Sequence, residues 1–125
     1  MNTDEHGLNL LTEKVIGAAF QVSNVLGAGF LEKVYERALL MELRVRGLEA
    51  ERQVRIQVHY KDQIVGEYVA DIIVEDRIVL ELKCAESFST EHVAQCINYL
   101  KASGLKLALL LNFQKPRLAV KRIVL

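Results

Sequence analysis

Net charge is what this sequence most clearly lacks. Lys plus Arg and Asp plus Glu are equal, at 16 each. The chain as a whole therefore has no electrostatic pull toward nucleic acid or an anionic membrane. That counts against tight binding driven by phosphate neutralisation over the whole surface. Local patches stay open, because Arg44, Arg46, Arg52 and Arg55 fall close together, as do Lys115, Arg117, Lys121 and Arg122. Cysteine is scarce too. Cys84 and Cys96 lack CxxC spacing and read as reduced, half-buried thiols of a cytosolic protein. No apolar run approaches the length of a membrane span. The opening MNTDEHGLNLLTEK has no basic segment followed by an apolar one, so no secretory signal and a cytoplasmic location are expected. Proline occurs once and glycine seven times, with no low-complexity tract or repeat.

What is present is a globular composition, 51% hydrophobic and 26% charged. A chain of 125 residues can bury a sizeable core without staples, and one domain over residues 1–125 is expected. Leu11, Val15, Ala18, Ala19, Val22 and Leu26 recur at helical spacing, preceded by a tail carrying His6. After GAGF a second helix runs from Leu31 to Val45. Its stripe is Leu39, Leu40 and Leu43, with Val34 and Phe30 behind, and Gly47 closes it. Val54, Ile56 and Val58 then alternate with Arg55, Gln57 and His59, the pattern of a half-buried strand. Two further strands follow across short polar turns, which implies an antiparallel meander. SFSTEHVAQCINYLKASG predicts a helix capped by Ser89 or Thr90, with Val93, Cys96, Ile97 and Leu100 inward. LKLALLLNF reads as a strand covered on both faces, and RLAVKRIVL as a last strand. The expected class is α/β (α+β), one mixed sheet flanked by helices.

The chemistry concentrates in VADIIVEDRIVLELKC, Val69 to Cys84. With its turn centred on Asp76, Asp71 opposes Glu81, and directly opposed side chains sit roughly 5 Å apart at Cβ. Lys83 leaves the same face, while Ile72, Val74, Leu80 and Leu82 point the other way into a core. Two carboxylates so close repel unless a positive charge lies between them. Mg²⁺ prefers carboxylate oxygens, taking one or two from protein with waters and substrate phosphate. Lys83 would add a positive charge beside the attacking water or the charge developing on a phosphate. The plainer alternative is a cross-strand salt bridge on a solvated face. No Cys/His cluster suggests zinc, and no glycine-rich phosphate loop suggests a nucleotide cofactor.

Asp71, Glu81 and Lys83 resemble the D…(D/E)xK signature of the PD-(D/E)XK nuclease superfamily. GFLEKVY, Gly29 to Tyr35, is similar to the string that defines the GxxExxY protein family, a small branch of it. AQCINYLKASG, LALLLNF and VKRIVL also resemble that branch, so the likeness runs from about Leu11 to Leu125. Ala70 stands where the superfamily's name has proline, at a position that varies within it. The resemblance implies a restriction-endonuclease-like core and Mg²⁺- or Mn²⁺-dependent phosphodiester hydrolysis. Asp71, Glu81 and the Leu82 carbonyl would hold the metal, and Lys83 would act on the attacking water. Such nucleases add a glutamate from the first core helix, here Glu36 or Glu32, which share a helical face with Tyr35. Glu36 is favoured, because ERALLMELRVRG resembles the first helix of archaeal Holliday-junction resolvases. Gln95 would line the site from the later helix, with Tyr99 four residues on and His92 before it. Read without the family, that strip is the solvent face of an amphipathic helix.

Two functions compete with a third, blander one. The first is a nuclease acting on nucleic acid, DNA ahead of RNA, and working as a homodimer. The second is a catalytically silent nuclease-fold module that binds nucleic acid or a protein partner. The third is a structural domain whose acids are salt-bridged.

Overall fold

The computed structural model describes residues 3–114 and 116–125, so Lys115 of the second basic cluster lies outside the described residues. Two helices come first, α1 (Thr3–Leu26) and α2 (Glu32–Val45). The hairpin partners β1 (Ala50–Tyr60) and β2 (Gln63–Val74) follow, then β3 (Ile78–Lys83). Helix α3 (Thr90–Ser103) leads to β4 (Leu107–Asn112) and β5 (Ala119–Val124). The strands form one sheet in chain order, antiparallel except for β3 beside β4. That one parallel pair needs a crossover, and α3 supplies it. The fold is the expected mixed sheet flanked by helices, in the expected order of elements.

Strand parity divides the core in two. Ile72, Val74, Leu80, Leu82, Leu107, Leu109 and Leu111 pack with the apolar stripes of α1 and α2. Ile73, Val79, Ala108 and Leu110 pack on the opposite face with Cys96 and Leu100 of α3. Every residue of β4 is buried, as its unbroken apolar run predicts. Ser89 caps α3, accepting the His92 N–H at 3.1 Å, while His92 Nδ1 accepts the Ser89 N–H at 3.2 Å. Gly47, at φ 83°, closes α2 by donating to the Arg44 carbonyl.

Several expectations change. His6 belongs to α1 rather than to a tail. Phe30 and Val34 are exposed, because the stripe of α2 turns inward only from Tyr35 onward. Tyr99 is buried against the sheet, edge-on to Tyr68 at 5.6 Å, so it does not belong to a solvent strip. The face that carries the acids is not bare either, since α3 covers it. The first basic cluster is no open patch: Arg44, Arg46, Arg52 and Arg55 pair with Glu51, Glu42, Glu36 and Glu67.

Alternation inverts partway along the first hairpin. Ala50, Ile72 and Val74 face α1 and α2, whereas Val54, Ile56, Tyr68 and Ala70 face α3. Both strands switch faces on one line. The flanking pairs are Arg52 with Ile72 and Val54 with Ala70, which sets Gln53 across from Asp71. Gln53 has φ 52°, left-handed backbone that a non-glycine residue adopts at a cost of roughly 1–2 kcal/mol. The next rung is also missing. β2 pairs β3 only from Val74–Ile78 to Ile72–Leu80, and there the two strands part.

Candidate functional site

Asp71 fills the fork between β2 and β3. Its Oδ2 accepts the Leu82 N–H at 2.8 Å, in place of a backbone carbonyl of the lost rung. Glu81 is 3% exposed and lies on the α3 side, among residues that include Val79, Cys96 and Tyr99. The Lys83 ammonium stands 3.6 Å from Glu81 Oε2. Glu81 Oε1 is buried and finds no hydrogen-bond donor among the described residues.

The electrostatics follow from that crowding. Burial, then the charge of Asp71, push Glu81 up from its ordinary 4.5 to about 8, against the pull of Lys83. Asp71 is also raised, chiefly by burial, with the Leu82 N–H opposing and Glu36 adding to the rise. The two carboxyls interact, so they titrate as a pair rather than independently. Burial and then the charge of Glu81 push Cys96 up to about 12, and the same two causes raise Tyr99. Cys84 is raised by burial and by Glu32. Neither thiol has the lowered pKa of a reactive cysteine.

The other sequence-derived residues separate into two groups. Glu36 is 3% exposed and faces the sheet from α2. Its Oε2 accepts from Arg52 Nε at 3.0 Å and lies 2.8 Å from Arg52 Nη2, and its Oε1 accepts from Gln53 Nε2 at 2.7 Å. Lys33 Nζ is 3.6 Å away. Glu36 is near enough to raise Asp71, yet its oxygens are already engaged. Among the described residues no three His, Cys, Asp or Glu side chains gather as a metal-holding group. Glu32 accepts the Cys84 N–H at 3.2 Å, just past Lys83. The Tyr35 hydroxyl donates to the Gly27 carbonyl at 2.6 Å and accepts the Phe30 N–H at 3.2 Å, bracing the loop ahead of α2. Gln95 is half-buried on α3, one turn before Tyr99.

Sequence reasoning missed Arg52, Gln53 and Asn112. Arg52→Ala would leave Glu36 buried without its strongest partner. The expected loss is about 3 kcal/mol, the lower end for breaking a buried ion pair, because Gln53 and Lys33 remain. Urea unfolding of the two proteins reads it directly, and an unchanged midpoint would show that the pair contributes nothing.

The donor set of the fork suits a hard divalent cation. It offers two neighbouring carboxylates, with one buried carboxylate oxygen left unpartnered. A positive charge there would relieve the repulsion that raises Glu81.

Comparison with known proteins bears on the family and the fold. A search of the curated proteins finds no match. Among solved structures the chain is similar to the crystal structure of SSO0001, at 21% identity and a TM-score of 0.59, over 74% of this chain and 48% of that one. The chain thus spans about half the length of that protein, and the likeness is one of fold. It is also similar to an alkaline exonuclease (LHK-Exo) from Laribacter hongkongensis, at 17% identity and a TM-score of 0.49, over 85% of this chain and 75% of that one. The family model of the PD-(D/E)XK nuclease superfamily matches residues 9–123, which covers the helices, the forked hairpin and the crossover just described, and the chain belongs to that superfamily.

Proposed function

We propose that this domain hydrolyses phosphodiester bonds in nucleic acid, DNA ahead of RNA, with Mg²⁺ or Mn²⁺ held by Asp71, Glu81 and the Leu82 carbonyl. The carrying observation is the buried, unpartnered Glu81 Oε1 beside Asp71. When bound, the cation would polarise the phosphate and ease deprotonation of the attacking water. Lys83 orients that water and stabilises charge developing on the phosphate. Glu36 acts from α2 through its charge on Asp71, and serves as a further ligand only on release from Arg52 and Gln53. Gln95 faces the phosphate from α3, with Tyr99 beneath it.

We place the chain in the GxxExxY branch on the strength of Gly29, Glu32 and Tyr35, and expect a cytoplasmic homodimer, which light scattering at micromolar concentration tests. The second reading, a silent nuclease-fold module, is favoured by one observation: Arg52 and Gln53 occupy the helix acid. Calorimetric titration with Mg²⁺ and Mn²⁺ separates the two readings, run beside a gel assay on DNA and RNA substrates. The wild type is expected to bind and cleave, and Asp71→Ala to do neither. A wild type with no metal heat and no cleavage of any substrate would leave the silent module as the better account.

A further inference from the structure

The backbone that carries Lys83 is pinned by groups outside the fork. The Phe113 N–H donates to the Lys83 carbonyl at 2.9 Å. Glu32 Oε2 accepts the Cys84 N–H at 3.2 Å. Asn112 engages both backbone groups of Ala85, its Oδ1 accepting the N–H at 3.2 Å and its Nδ2 donating to the carbonyl at 2.6 Å. Asn112 is 1% exposed and pairs in register with Lys83 across β3 and β4. Its carboxamide thus serves as one more rung beyond the last backbone pair.

The Gly29–Tyr35 stretch feeds the same three residues. Gly29, at φ 115°, lets the loop turn into α2, where Glu32 starts the first turn. The Tyr35 ring stacks on Phe113 at 4.7 Å, and Phe113 is the residue whose N–H holds Lys83. Loop, helix start and buried asparagine all converge on Lys83, Cys84 and Ala85.

We propose that Asn112 and Glu32 are positioning residues that fix the Lys83 ammonium against Glu81, and that Glu32 is not a metal ligand. Its catalytic consequence rests on the nuclease reading, while the clasp itself rests on the hydrogen bonds alone. A lysine ammonium sits on a flexible four-carbon stem. Its 3.6 Å approach to Glu81 depends on where the Lys83 backbone is held. A displacement of about 1 Å at such a point can cost on the order of a hundredfold in rate.

The test uses Asn112→Ala, Glu32→Ala and Glu32→Gln. Exposed Glu32 can be changed without loss of the fold even if the buried asparagine cannot. Glu32→Ala should speed Cys84 amide hydrogen exchange about tenfold and lower kcat about tenfold, with KM and Mn²⁺ affinity unchanged. Glu32→Gln keeps an acceptor for the Cys84 N–H and should restore both exchange protection and kcat. Asn112→Ala should expose the Ala85 amide and lower kcat by about ten- to a hundredfold. A Glu32→Gln variant that loses Mn²⁺ binding would make Glu32 a ligand and overturn the proposal. So would unchanged exchange and kcat in Glu32→Ala. A wild type that cleaves nothing, with amide exchange responding as described, would defeat the nuclease reading and leave the clasp standing.

Discussion

Lys83→Ala is expected to lower phosphodiester hydrolysis by about 10²- to 10³-fold, the usual loss when one charge-stabilising group is removed from a reaction centre. Divalent-ion affinity should stay the same or tighten. The ammonium lies 3.6 Å from Glu81 Oε2 on a side chain only 21% exposed, and it pulls both site acids downward. A cation bound between Asp71 and Glu81 would meet that positive charge at short range, so removing it relieves repulsion. Rate and affinity then move in opposite directions, which a simple loss of folding cannot produce.

The competing account makes Lys83 a neutraliser of two facing acids and nothing more. Alanine would then leave Asp71 and Glu81 unopposed in a buried fork. The variant would melt lower, and Mg²⁺ would restore little. Thermal melts of both proteins with and without Mg²⁺, beside a gel assay, distinguish these outcomes. A Lys83→Ala protein that cleaves as fast as wild type discards the catalytic reading of the lysine.

Much of the hairpin was readable because strand parity is simple physics. Ile72, Val74, Leu80 and Leu82 reach the core that alternation assigns them, and the turn centres on Asp76. The inversion at Gln53 was not readable. Glutamine carries no preference for positive φ, and the switch becomes visible only when both strands are seen to exchange faces on one line. That hid the second apolar layer under the acids. Resemblance singled out Glu36 as the helix acid, but its burial and its partners, 16 and 17 residues away on a strand, were not legible. Tyr99 was misread because helical spacing groups it with Gln95, whereas burying its large ring against Tyr68 outweighs keeping the hydroxyl in water. Asn112 did leave a signal: one polar residue ends the otherwise apolar run LALLLN, where an unpaired amide would be costly.

Metal-free protein is expected to lose stability as pH rises from about 5 to about 8, opposite to ordinary acid denaturation, and Glu81→Gln should abolish the effect. The unfolded chain gives up the Glu81 proton near its ordinary 4.5, whereas the folded chain keeps it to about 8. Between those values the folded state holds the extra proton, so each rise in pH favours unfolding. The stabilisation is complete below 4.5 and gone once pH has passed through 8. Its size is on the order of a few kcal/mol, or roughly 10 °C in melting temperature. Binding a divalent cation requires the proton to leave, so Mg²⁺ or Mn²⁺ affinity should climb up to about tenfold per pH unit below 8. The curves with and without metal diverge as pH rises: added metal should do little to the melt near pH 5 and raise it clearly near pH 8. In Glu81→Gln both dependences should flatten, because the amide neither holds that proton nor supplies a carboxylate to the ion. Melting curves from pH 5 to 9, with and without Mn²⁺, measure all of this in wild type and variant. A wild-type melt that rises across that range without metal would mean Glu81 is already ionised in the fold. The fork would then need some other source of positive charge.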